Sequence, residues 1–259
     1  MIKKMLAIII GSFLLLTLSS CTIKHKVNKH TERIEPVNES INLGEIDDIK
    51  LLIGGANLEV NSTKGENINI LVDGEYNNRE IKVKKDKRSV VVKENRGRKL
   101  GLLKKETIED KKVFIEIPEK YKGDLEIEVG SGNTNINNIN IDKLKVDSGA
   151  GILCINDIDF KSIDLTQGAG KVEVDLNKMT GDISVGGGLG EFKLYAKKVL
   201  GNLNFRGGVG NVDIDIPDNS PVKINTASGI GKKEVKVSTS GEDLYNFDLE
   251  IGMGNLSIK

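Results

Sequence analysis

From Ile41 to the C-terminus, the chain sets apolar residues at every second position, in short runs. Ile49, Leu51 and Ile53 make one such run, and Leu58 and Val60 another. In the second half the runs come in pairs. Leu125, Ile127 and Val129 lead to Ile136 and Ile139; Leu144 and Val146 lead to Leu153, Ile155 and Ile158. Ile163 and Leu165 precede Val172, Val174 and Leu176; Ile183 and Val185 precede Phe192 and Leu194; Leu203 and Phe205 precede Val212 and Ile214. Alternation with period two predicts half-buried strands, apolar on one face and polar on the other. No 3.6-residue period is sustained after the N-terminal segment, so helix is expected to be scarce.

Between the two runs of each pair stand two glycines in the spacing GxG. They are Gly130 and Gly132, Gly149 and Gly151, Gly168 and Gly170, Gly188 and Gly190, Gly208 and Gly210, Gly229 and Gly231, and Gly252 and Gly254. A recurrence of about twenty residues marks a solenoid. The predicted fold is all-β: a single-domain β-solenoid, a parallel β-helix-like stack of two-strand coils of about 20 residues. Such a unit cannot bury its apolar side alone, so stacking lines the apolar positions into columns. Glycine is expected at the corner because a tight bend needs φ > 0, or because adjacent coils come too close for a Cβ. Asn137-Asn138, Asn156-Asp157 and Asp218-Asn219 mark the other corner, where Asn and Asp tolerate the left-handed conformation.

The string LLIGGANLEV (51–60) aligns without gaps on LEIGMGNLSI (249–258). It reads as an eighth, degenerate copy at the opposite end of the domain, with Ala56 in the second glycine place. Residues 66–118 carry no GxG. Their runs at Ile68–Val72, Glu80–Val83, Ser89–Val92 and Val113–Ile117, with turns at Asp73-Gly74 and Lys85-Asp86-Lys87, predict an antiparallel capping region. A cap is physically needed, because the end of a β-stack exposes unpaired backbone groups. Residues 95–111 break the alternation and are expected to form an exposed loop or short helix; within them Arg96 to Lys105 mixes Arg and Lys with Leu, and reads either as a contact for a membrane or a partner or as a variable loop.

The N-terminus belongs to another class of segment. Lys3 and Lys4 precede an apolar stretch from Met5 to Leu18, which ends in Leu18-Ser19-Ser20-Cys21. This order of charge, apolar length and small residues is that of a secretory signal, and its end resembles the bacterial lipobox. The resemblance implies that 1–20 is a lipoprotein signal peptide and that Cys21 becomes the acylated first residue of the mature chain. Two acyl chains suffice for stable anchoring, at about 0.8 kcal/mol per buried CH₂. Residues 21–40 then read as the lipidated cysteine and a polar tether, and 41–259 as the folded domain, with 66–118 as the cap and 119–259 as the repeats. The expected location is extracytoplasmic, on the outer face of the bacterial cell membrane.

Composition narrows the chemistry. Six Phe, four Tyr and no Trp imply a thin aliphatic core. Lys+Arg and Asp+Glu both number 38, a balance that argues against nucleic acid as a partner. His25 and His30 lie in the tether without ligand-spaced companions, so no metal is expected there. Cys154, between Leu153 and Ile155, reads as a buried or half-buried structural thiol. In the calcium-binding glycine repeat, an aspartate follows the glycines; Thr134, Leu153, Val172 and Phe192 take that place here. No phosphate loop GxxxxGK[ST] and no Ser/His/Asp set occurs, so neither cofactors nor catalytic residues are assigned. Glu126 with Glu128, and Asp213 with Asp215, share a strand face opposite the core, which reads as a solvated face more readily than as a glycosidase pair.

The segment VFIEIPEKYKGDLEIEVGSGN (113–133), a strand ended by proline and followed by a glycine corner, resembles the bacterial family DUF4097, whose members are widely labelled as candidate adhesins. The resemblance covers about 41–259. It implies a non-enzymatic surface protein that binds an envelope or extracellular partner, a cell-envelope protein or polysaccharide, either as an adhesin or as an accessory to envelope-stress signalling. A polysaccharide-acting β-helix enzyme and a spacer without a ligand are the alternatives. Cys21→Ala is expected to abolish membrane retention. Cell fractionation checks this, and a variant that still sediments with membranes would show a different anchor.

Overall fold

Alternating side chains can be buried on one side only if neighbouring strands stack in phase, and parallel in-phase stacking organises the protein. The computed structural model describes residues 37–73, 79–96 and 111–259. These contain strands and no helix: β1 (Val37–Asn42), β2 (Asp48–Ile53), β3 (Asn57–Thr63), β4 (Asn67–Asp73), β5 (Arg79–Lys85), β6 (Ser89–Arg96), β7 (Lys112–Pro118) and β8 (Asp124–Asn137). There follow β9 (Lys143–Asn156), β10 (Ser162–Leu176), β11 (Asp182–Ala196), β12 (Leu203–Asp215), β13 (Val222–Ile230), β14 (Lys233–Val235) and β15 (Tyr245–Ile258). The signal, the tether as far as 36 and nearly all of the 95–111 segment fall outside the described residues, as does Gly74 of the Asp73-Gly74 turn. β1 begins at Val37, ahead of the boundary expected at 41.

Each long strand runs through a glycine corner. In β8 the buried positions are Leu125, Ile127 and Val129 before the glycines, then Thr134 and Ile136 after them. Inward positions are thus odd on the first arm and even on the second, so the corner shifts the alternation by one. The positive φ at the second glycine makes that shift: Gly132 has φ 121° and Gly151 has φ 136°. The first glycine is needed for a different reason. A Cβ on Gly149 would lie 2.3 Å from the carbonyl oxygen of Gly130 in the coil beneath. Each coil also has a third, shorter side, joined to its neighbours by single bridges such as Asn140 to Asp159 and Met179 to Val199. Asn138 (φ 54°), Asp157 (φ 46°) and Asn219 (φ 61°) turn the chain into that side.

β8 through β12 stack in chain order, all parallel and in register. Side chains that bond between adjacent coils are 19 or 20 residues apart. Below β8, β2 and β3 together form one coil: β2 pairs with the first arm of β8, β3 with the second. Ala56 lies under Gly132, as the degenerate copy suggests. The region expected as an antiparallel cap differs from that expectation in part. β6 and β7 are parallel to β2 and β3 and make the two arms of a further coil. The antiparallel strands are β5 on β6, β4 on β7 and β1 on β4.

The far end departs from chain order. β15 pairs with β12 on one side and with β13 on the other, so the last strand of the chain lies between two earlier ones. Stacking partners there are 44 and 23 residues apart. The physical reason lies in the inward residues. β15 presents Phe247, Leu249, Ile251, Leu256 and Ile258, all buried. β13 presents Val222, then Ile224, Thr226 and Ser228, which are only partly buried. Full burial of a large aliphatic or aromatic side chain is worth roughly 1.5–3 kcal/mol. Insertion covers the apolar coil on both sides and leaves the polar one outermost. The irregular Lys232-Lys233 repeat is this outermost coil.

The corners predict a sharp contrast between neighbouring glycines. Gly190 has φ 150°, and a Cβ there would lie 1.8 Å from the Gly170 oxygen. At Gly187 nothing lies closer than the Gln167 oxygen at 3.9 Å. Gly190→Ala should destabilise by about 3 kcal/mol or more through strain and overlap. Gly187→Ala should be neutral or stabilising by about 0.4–1 kcal/mol. Denaturant titration of the two variants gives the comparison, and equal midpoints would contradict the corner assignment.

Candidate binding surface

The columns that stack inward close the interior. One of them reads Ile53, Val129, Ser148, Gln167, Gly187, Gly207, Ile251 and Ser228 through the coils. Where its two glycines carry no side chain, a cavity of ≈ 30 Å³ remains, bordered by Gln167, Phe192, Phe205 and Val212. The rings of Phe192 and Phe205 stack beside it with centroids 5.1 Å apart. The Gln167 amide donates to the Ala169 carbonyl at 2.6 Å, while its Oε1 has no partner. A water needs about 10–15 Å³ of such space, so the gap suits one or two waters and nothing larger. Thr134, Leu153, Val172 and Phe192 are all buried, at 1%, 1%, 3% and 3% exposure. This explains why the calcium-repeat aspartate has no counterpart: its place points into the core.

Polar chemistry is therefore carried outside, in rows. On the first arm, Lys50 meets Glu126 at 3.0 Å, and Lys145 meets Glu126 at 2.9 Å and Asp147 at 3.0 Å. Hydrogen bonds from Lys145, then from Lys50, hold the Glu126 carboxyl below its ordinary range. Glu126, in the same way, raises Lys145. Glu126, Glu128 and Asp147 have carboxylate oxygens within 4.8 Å of one another, and the last two border an open groove of ≈ 580 Å³ with Leu52 and Thr166. The two lysines already neutralise much of this cluster, and an entering cation would have to displace them. On the second arm, Asn156 donates to Asn137 at 2.8 Å and Asn137 to Asn61 at 3.0 Å. Such amide ladders reward in-register stacking. Cys154 is half-buried on this same outer face. Burial first, then Glu173, raises its pKa, against a smaller opposing effect of Lys171, so it is a poor nucleophile.

Two features were not anticipated. The residue between the paired glycines lies on the outside, and its place forms a line through the coils that includes Ser131, Ala150, Ala169, Val209, Met253 and Ile230. The line is small or polar at one end and large and apolar at the other, a trend already present in the repeats themselves. The second feature is a buried ion pair. Lys111 and Glu94 meet at 2.7 Å with side chains 7% and 3% exposed, and the Gly54 N–H donates to the same carboxylate at 2.6 Å. It ties β6 to the residue just before β7, beside the corner of the β2–β3 coil. These residues are 17 positions apart across an irregular stretch, and no sequence period links them.

The model of the Toastrack DUF4097 family matches residues 46–151 and 126–248. The chain belongs to this family. No curated protein matches it in sequence. Among solved structures, a candidate cell adhesion protein from Clostridium sporogenes is similar at 19% identity and TM-score 0.38, over 87% of this chain and 98% of that one. A candidate adhesin from Bacteroides fragilis is similar at 12% identity and TM-score 0.37, over 87% and 97% of the two chains. A candidate lipid binding protein from Parabacteroides distasonis is similar at 13% identity and TM-score 0.32, over 88% and 98%.

Breaking a buried pair by removing one partner typically costs about 3–5 kcal/mol, whereas replacing both by apolar residues is often neutral. Glu94→Gln is therefore expected to destabilise this Toastrack domain by about 3–5 kcal/mol. Glu94→Leu combined with Lys111→Met should recover most of that loss. Urea unfolding of both proteins measures the difference.

Proposed function

We propose that the chain is a non-enzymatic, lipid-anchored protein of the outer face of the bacterial membrane, whose stacked coils present a surface to an envelope or extracellular partner. The observation that carries this reading is the closed interior. Aliphatic columns fill it, the gap in the glycine column has room for a water or two, and outside it Glu126 and Asp147 are paired with lysines. A carboxylate pair needs a cleft and unequal environments to divide acid and base roles. Among the outer acids described above, Glu126 and Asp147 are engaged by lysines, and the groove that Glu128 and Asp147 border is open. Flat polar rows on a rigid parallel stack suit contact with another large molecule, in the manner of other solenoids.

The test offers the full-length protein to purified peptidoglycan, extracellular matrix and solubilised membrane proteins. Retention on one of them without release of soluble fragments is expected. Fragments released from a polysaccharide would replace this reading with an enzymatic one, and retention on none would remove the binding role.

A further inference from the structure

The outermost coil differs from every other in what it leaves uncovered. Among the described residues β13 pairs with β15 alone, so its other edge is free. Ile230, at the end of β13, is 68% exposed and Leu244, near its start, 63%; Val235 on the same coil, Met253 on the next and Val209 one coil further in are also exposed. Of the exposed large hydrophobic residues described, only Ile152 and Tyr195 lie elsewhere. Clustered exposed apolar residues mark interaction surfaces, and a free strand edge is a template for another strand.

The layout of this coil is self-complementary. Val222 pairs with Tyr245, so Leu244 sits beside the start of β13, while Ile230 closes its end. A two-fold axis at Thr226 would set β13 antiparallel to β13 of a second copy, with Val222 opposite Ile230 and Ile224 opposite Ser228. Each Ile230 would then lie opposite Val222 of the second copy, one strand away from the level of its Leu244. Self-pairing usually fails on like charges, which a two-fold axis brings together. β13 carries one charge, Lys223, and the axis places it opposite Gly229. Edge strands that avoid pairing carry charges, proline or bulges along their length; Ile224 to Ile230 has none of these charges and no proline. The chain enters the stack at β1, the opposite end of the strand order, so the first strand leaves this edge free.

We propose that the β13 edge, with Ile230 and Leu244, is a docking surface for a second copy of this chain, joined end to end through an antiparallel β13 pair. The inference rests on the surface-binding reading above and names one of its contacts. Sedimentation of the full-length protein in detergent over a concentration series tests it. A reversible dimer is expected for the wild type and for Ile152→Lys, an exposed apolar site elsewhere. Ile230→Lys and Leu244→Lys should stay monomeric with unchanged melting temperatures. A wild-type monomer at every concentration, a dimer that survives both lysine variants, or one lost equally in Ile152→Lys overturns the proposal. Ile230→Lys is also offered to the partners of the preceding test. If it is monomeric yet still retained, self-pairing and partner binding are separate properties. Failure of partner binding with the dimer intact sinks only the earlier reading.

Discussion

The structure depends on how closely the backbone of one coil passes over the next at the corner. At Gly210 and Gly254 a Cβ would come within 1.6 Å of the oxygen beneath. No side chain can stand there, and the backbone must also take a positive φ. The phase shift at the corner follows from that conformation. Through the shift, both arms of each coil turn their apolar residues inward. The glycine pairs are thus the geometric condition for the aliphatic columns, although they contribute no apolar surface of their own.

The same stacking explains how the ends are treated. Any coil can cover any other if corners and columns match, so the order of coils is a matter of free energy. Among the last two coils, the one rich in Phe247, Leu249 and Ile251 is sandwiched, and the one with Thr226 and Ser228 faces out. At the opposite end the chain reverses direction in β4 and β5, and β1 covers β4. The two ends meet one requirement by different means: antiparallel strands in one case, a polar coil in the other.

The fold was legible because its signals are local and periodic. The alternation in 125–129 and the glycines at 130 and 132 state both arms and their corner within a single unit. The degenerate copy at 51–60 was legible by alignment, since Ala56 is the only change at a corner position. What could not be read were pairings between distant residues. The insertion of β15 depends on comparing the apolar content of two similar repeats, and either order satisfies the period. The direction of β6 and β7 was missed because no GxG stands between them in the sequence, so the two arms of one coil looked like separate strands. The Glu94–Lys111 pair flanks residues 97–110, where no alternation marks which side chains face in. The outward line through Val209, Met253 and Ile230 was visible in the repeats. It was passed over because one residue per corner says nothing until the coils are in register.

The place of β15 bears on how the protein comes into being. A chain made from its N-terminus can add β9, β10, β11 and β12 one after another, since each needs only the strand before it. That progression halts at β12. β13 pairs only with β15, which is made after it. Domains generally fold as units during synthesis; here the order of stacking departs from the order of synthesis, and until β15 is in place the apolar margin of β12 stays open to whatever is near.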